Sequence, residues 1–278
     1  METLNLNKLF ENALVPLADF LAFEAPGQKW IKVKVIVNAG KGGTLPLCIF
    51  LMYQFNNFSY SACIMTALHG SYGLIWLLKD AIIPDAQWEE PVSTIGALTV
   101  ASMMMGYWLS DFITIGTKVV IPPPVAALAI MVYAIGVTIM MASDTQKYFV
   151  LKLKKGLISD GWFETCRNSN FLGEIMVYAS FCICAGHYIP WAFSIFIWFA
   201  YFGGRFYNKE KSFALKKGGL DYIKRTSVIL PVSLPFLPSW FSTPEEFYIE
   251  EDQKEGESSL PSPNTRARQG GKSKVKRK

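Results

Sequence analysis

"FLGEIMVYASFCICAGHYIPWAFSIFIWFAYFGG", Phe171–Gly204, runs for 34 residues with Glu174 as its one acidic or basic side chain other than His187. A bilayer-crossing helix takes about 20 apolar residues. The stretch is therefore long enough for two antiparallel helices that turn at His187–Pro190. Outward from it, further stretches without Lys, Arg, Asp or Glu recur at Gly43–Phe55, Ser59–Leu78, Pro91–Ser110 and Ile121–Ser143. Of the 278 residues, 51% are hydrophobic, 14% aromatic and only 18% charged, and the mean hydropathy is +0.24. That distribution excludes an ordinary soluble domain. It predicts an all-α fold, a polytopic transmembrane helix bundle with six to seven spans, the first of them short or re-entrant at Gly43–Phe55. The expected organisation is an N-terminal amphipathic or membrane-edge segment at 1–42, a transmembrane domain at 43–241 and a disordered cytosolic tail at 242–278.

The basic residues set the orientation, because cytosolic loops collect Lys and Arg. Lys29, Lys32, Lys34 and Lys41 precede the first stretch, Lys147, Lys152, Lys154 and Lys155 follow the fourth, and Arg205, Lys209 and Lys211 follow the last. With six spans these clusters fall on one side, which places both termini in the cytosol. The N-terminal segment carries four acids and shows no cleavable signal peptide. The tail from Ser242 is acidic, then basic, and too poor in aliphatics to bury itself. Lys274 and Lys276 resemble the dilysine retrieval signal of endoplasmic-reticulum membrane proteins. A solvated charge run and a contact with anionic lipid are the other readings. Net charge is only +5, and topology accounts for the basic residues, so nucleic acid is excluded as a partner. The five cysteines show neither metal spacing nor a disulfide framework, and no metal is expected.

The start of Phe171–Gly204 carries the chemistry. In "CRNSNFLGEIMVYASF", Cys166–Phe181, a helix beginning near Asn168–Asn170 places Asn170, Glu174 and Tyr178 at i, i+4 and i+8 on one polar stripe. An ionisable group inside a span is costly and faces the bundle interior or a wet cavity. Arg167, just ahead of the helix, is placed to meet an anion beside free N–H groups, and it would render the Cys166 thiol somewhat acidic. The plainer alternative is a helix cap, with Glu174 paired to a lysine. Further upstream His69 and Tyr72 stand at i and i+3, which makes Tyr72 a candidate proton donor with His69 beside it. The alternative for His69 is packing. Asp111 reads as structural. "NAGKGGT", Asn38–Thr44, lacks P-loop spacing and reads as a flexible membrane-edge loop. No GxGxxG unit is present, so any dinucleotide site is not of the Rossmann type.

"SDTQKYFVLK", "DGWFETCRNSNFLGEIMVY", "GGRFYNKEK" and "LDYIKRTSVILP" together resemble the C-terminal half of the steroid 5α-reductase family. The resemblance covers roughly Ser143–Pro231, is most specific at Asn170–Glu174, and points to a branch adjoining the isoprenylcysteine carboxyl methyltransferase group. It implies a membrane-embedded NADPH-dependent reductase that delivers hydride to an activated C=C bond of a lipophilic, steroid- or lipid-like substrate. It further implies that Asp144, Asn170, Glu174 and Arg205 contact the cofactor, with Glu174 near the nicotinamide. Tyr207, Tyr222 and Arg225, together with Lys147 and Lys152, fall in stretches that line the phosphate and adenosine end, and Arg167 joins the cofactor-binding candidates on its place at the helix mouth. The Tyr and Glu with which steroid reductases polarise the enone carbonyl have no matching pair in this sequence. Tyr72, His69 and Glu174 are the catalytic candidates. An S-adenosylmethionine-dependent membrane methyltransferase and a non-catalytic membrane scaffold remain as alternatives. Membrane lipid is an expected neighbour, and the sequence names no protein partner.

Overall fold

A computed structural model of the chain describes residues 9–230. Expectations for the tail, Lys274 and Lys276 included, lie outside the described residues. The described residues are predominantly helical, with one two-stranded antiparallel pairing among them, β1 (Ile31–Lys32) with β2 (Pro91–Val92), that sets Ile31 opposite Val92.

Among the described residues, four helical stretches are long and apolar enough to cross a membrane: Val33–Gln54, Tyr60–Ile82, Thr94–Gly116 and Pro123–Leu153. The first comprises α1 (Val33–Gly42) and α2 (Thr44–Gln54). The second is α3 (Tyr60–Ile82), capped by the Ser59 hydroxyl, which accepts from the Ala62 N–H. The third starts as α4 (Thr94–Tyr107), capped in the same way by Ser93. The fourth is α5 (Pro123–Leu153), whose prolines occupy the first turn, where a missing N–H costs nothing. Leu128, Ile130, Met131 and Ile135 stand exposed on α5, as a lipid-facing surface requires. The protein is an integral membrane protein.

Phe171–Gly204 folds as two helices, with the turn slightly earlier than expected. α6 (Ser169–Ala185) ends at Gly186, whose left-handed φ of 57° only glycine adopts without strain. α7 (Tyr188–Ile197) starts with the His187 ring accepting from the Ile189 N–H. It runs through a π-helical turn, Trp198–Phe202, into α8 (Gly203–Ala214), and α9 (Gly219–Arg225) follows. α6 has 17 residues, so it is apolar but shorter than the four long spans. An N-terminal helical stretch, Phe10–Glu24 in three consecutive segments, covers one side of the bundle.

The first span corrects the sequence expectation. The helix starts at Val33, not Gly43, and "NAGKGGT" is helical rather than a loop. Its low intrinsic helix propensity is outweighed by close packing. Small residues let membrane helices approach, and a Cβ on Gly73 of α3 would meet the Lys41 carbonyl oxygen at 2.1 Å. The same device closes α5 on α6, where a Cβ on Gly173 would lie 2.6 Å from the Gly136 carbonyl. Around these crossings Met65, Leu68 and Tyr72 of α3, Ala129 and Met140 of α5, and Val177 and Phe181 of α6 form the main core.

Candidate active site

A cavity of about 390 Å³ opens among the N-terminal helical stretch, α1, α3, α4 and α5–α8. Its lining changes character along α6. Asn170, Glu174, Tyr178 and Phe181 all face it, stepping inward by about 6 Å for each four residues of helix. Around Asn170 the walls carry Asp144, Lys147, Arg205, Asn208 and Lys209, whereas around Phe181 they carry Met103, Gly106, Phe193 and Ile197. One end is therefore cationic and polar, and the other apolar and aromatic.

At the polar end the charges are partnered without being sealed off. Lys79 pairs with Asp144, Lys147 lies 3.3 Å from Asp85, and the Lys209 ammonium donates to Asn168 at 3.0 Å. Arg205 donates to the Tyr201 hydroxyl at 3.3 Å and lies over that ring. At the waist Tyr178 donates to Glu174 at 3.2 Å. Three buried polar atoms on lining residues have no partner among the described residues: Asn170 Oδ1, Tyr107 Oη and Trp198 Nε1. A buried polar atom left unpaired costs about 1–3 kcal/mol, so these atoms suit a ligand that brings its own donors and acceptors.

Of the sequence-predicted residues, Asp144, Lys147, Asn170, Glu174 and Arg205 line this cavity. The other site expectations are corrected. Arg167 is not at an anion-binding mouth. It is 3% exposed, its Nε donates to Glu210 at 2.8 Å, and its Nη1 donates to the Ile223 and Thr226 carbonyls. The guanidinium is consumed in tying the start of α6 to α8 and to the end of α9. Tyr222 serves the same junction, donating to the Phe163 carbonyl at 2.7 Å. Arg225 reaches the Ser159 carbonyl at 3.1 Å, and Tyr207 packs against Phe10. Lys152 lies over Tyr148. None of these five lines the cavity. Cys166 is not acidified, because burial pushes its thiol up against the smaller opposing effects of Ser169 and Arg167.

His69 and Tyr72 do not act as a pair. His69 is fully buried, with Nδ1 2.7 Å from Asp111 Oδ2 and its ring against Phe181 and Tyr107. The Cys48 thiol donates to the other Asp111 oxygen. This is a packed polar tie between α2, α3 and the third span, behind the cavity wall formed by Phe181 and Tyr107 and not part of the lining itself. Tyr72 stands just behind the wall, where its hydroxyl accepts from Lys41 at 3.2 Å.

Sequence reasoning missed Lys41. It was counted with the residues preceding the first span, yet it lies about 12 Å into that span at 1.5 Å per residue. It is 4% exposed and lines the cavity beside Tyr178. Tyr107, Tyr201 and Trp198 were missed too. Aromatic residues in a span carry no signal that separates cavity walls from lipid-facing packing.

A membrane bundle that encloses a cavity polar and cationic at one end and aromatic at the other defines a class of integral membrane enzymes for lipophilic substrates. Residues 92–234, just over half of the chain, match the family described as 3-oxo-5-alpha-steroid 4-dehydrogenase. The chain belongs to that family, the steroid 5α-reductases, whose members are membrane oxidoreductases that act on a C=C bond with a nicotinamide cofactor. No curated protein matches the chain in sequence.

Proposed function

We propose that the protein is an NADPH-dependent reductase of the endoplasmic-reticulum membrane, with both termini cytosolic. It reduces an activated C=C bond of a steroid- or lipid-like substrate. The observation that carries this reading is the polarity gradient of this cavity along Asn170, Glu174, Tyr178 and Phe181. A dinucleotide needs cations for its phosphates, hydrogen-bonding groups for its amide and a dry compartment for the reacting ring. The residues present suit each requirement. Lys147, Arg205 and Lys209 supply positive charge, and Asp144 offers a carboxylate to ribose or amide donors. Asn170 Oδ1, unpartnered, accepts from an amide N–H, and Glu174 fixes the orientation of the same group. When bound, a reduced nicotinamide supplies the hydride. The apolar walls formed by Met103, Phe193 and Ile197 exclude water and hold a lipophilic substrate.

The N-terminal helical stretch contributes Val15, Ala18, Asp19, Ala22 and Phe23 to the same cavity, so it closes the bundle against lipid on that side. Thermal-shift binding to the detergent-solubilised full chain tests the reading. Stabilisation by NADPH and none by S-adenosylmethionine is expected. The converse would make the protein a methyltransferase, and no response to either would make it a scaffold.

A further inference from the structure

Lys41 is a cation inside a membrane span without a counter-ion at contact distance among the described residues. Its ammonium donates to the Tyr178 hydroxyl at 3.1 Å and to the Tyr72 hydroxyl at 3.2 Å. It lies 3.5 Å from the centre of the Trp76 ring, with the rings of Tyr72, Tyr107 and Tyr178 further out. Among the described residues it forms no ion pair with a carboxylate. Lysine has three N–H donors, so one remains beyond the two tyrosines, on a side chain that lines the cavity.

A buried solitary charge is expensive in a bilayer, and this one is held by groups that stabilise it without neutralising it. Aromatic faces attract the cation, and phenol oxygens accept from it. Tyr178 in turn donates to Glu174 at 3.2 Å, which orders Lys41, Tyr178 and Glu174 into one hydrogen-bonded chain. The close approach of Gly73 to the Lys41 carbonyl fixes the backbone from which the side chain extends. The unpartnered Tyr107 hydroxyl stands on the same wall. A mobile surface lysine has none of these constraints. This arrangement is a preorganised positive charge on the cavity wall, the form of electrostatic stabilisation that acts where negative charge develops in a transition state.

We propose that Lys41 is the catalytic acid that polarises the carbonyl of an α,β-unsaturated ketone, with Tyr72 and Tyr178 positioning it. This rests on the reductase reading above. Hydride from a reduced nicotinamide forms the new C–H bond at the β-carbon. The C=C pair becomes a π bond between the α-carbon and the carbonyl carbon, and the carbonyl π pair moves to oxygen. That oxygen takes a proton from the Lys41 ammonium as the N–H bond breaks, giving the enol. The α-carbon then takes a proton that originates as hydronium in bulk solvent and enters through the polar end of the cavity, leaving water outside, while the enol hydroxyl returns its proton to the amine. The net change is one hydride and one proton added across the C=C bond, with Lys41 regenerated.

The test is vibrational spectroscopy on the detergent-solubilised full chain with oxidised NADP⁺ and progesterone carrying ¹³C at its conjugated carbonyl. In the wild type, the labelled C=O stretch is expected at lower wavenumber than in hydrocarbon solvent. In Lys41→Met it returns toward the hydrocarbon position, and in Lys41→Arg part of the shift is restored. NADP⁺ affinity and melting temperature are measured on the same samples. Should Lys41→Met fail to fold, Lys41→Gln, which keeps an uncharged donor, replaces it and is expected to lose most of the shift. The single-turnover rate of Lys41→Met should fall by about 10²–10³-fold, as on removing one oxyanion donor. A carbonyl band unshifted in the wild type, or shifted equally in the variant, overturns the assignment while cofactor binding leaves the reductase reading standing. Cofactor binding without progesterone binding removes the enone-steroid class and the Lys41 assignment with it. Absence of cofactor binding in the wild type removes the reductase reading itself.

Discussion

Gly73 on α3 stands so close to Lys41 on α1 that an added Cβ would lie 2.1 Å from the Lys41 carbonyl oxygen. The contact is backbone against backbone, so no side-chain rotation relieves it. Gly73→Ala is expected to force the helices apart at a cost of about 1–3 kcal/mol, shifting Lys41 off Tyr178 as well. Thermal melting of the purified variant checks the first effect. A melting temperature equal to that of the wild type would show that α1 and α3 are less closely packed than described.

Arg167 and Glu210 form a buried pair at 2.8 Å, with side-chain exposures of 3% and 5%. Removing one partner leaves the other charge uncompensated, at a cost of about 3–5 kcal/mol. Arg167→Met is therefore expected to melt well below the wild type, and Arg167→Met combined with Glu210→Leu should recover much of the loss. Cofactor affinity of the folded fraction should stay near that of the wild type. Lost NADPH binding at an unchanged melting temperature would return Arg167 to the cofactor site.

Asn57, Phe58 and Ser59 spell a glycosylation sequon. The Asn57 side chain is buried, however, donating to the Ile115 carbonyl at 2.8 Å and accepting from the Ser59 N–H. It is expected to carry no glycan, and Asn57→Gln should destabilise by about 1–3 kcal/mol through the misplaced amide. A mass shift on enzymatic deglycosylation, abolished in that variant, would contradict the burial.

The proposed residence in the endoplasmic reticulum is expected to depend in part on the tail. Replacing Lys274 and Lys276 together by serine should move some of the protein to later membranes, scored by microscopy of a tagged chain. An unchanged distribution would assign retention to the spans and leave the tail a charge run.

The apolar spans were legible because a bilayer demands long uncharged stretches, and the Asn170–Glu174–Tyr178 stripe was legible because helical spacing alone puts those residues on one face. Arg167 was misread because its partner Glu210 is 43 positions away, and nothing local distinguishes an arginine that meets an anion from one that meets a carboxylate. Lys41 was misread for a different reason. Glycines in "NAGKGGT" argue for a loop in water, but between membrane helices they permit the close approach that makes the segment helical. Distinguishing the two requires the neighbouring helix, in particular Gly73. His69 gave no sequence sign of Asp111 either, since the two residues meet only when α3 packs against the third span.

Glu174 bears on the central claim most directly, as the carboxylate at the waist of the cavity between the cationic and aromatic ends. Glu174→Gln keeps the side chain's shape, so loss of a charge-assisted hydrogen bond to the cofactor should cost about 1.5–3 kcal/mol, or roughly 10- to 150-fold in affinity. The decisive measurement is NADPH titration of wild type, Glu174→Gln and Asn170→Ala, with melting temperatures taken on the same preparations. Weakened NADPH binding at an unchanged melting temperature is the predicted result. Wild-type affinity in both variants, or no NADPH binding by the wild type, would make the stripe structural and contradict the reductase assignment.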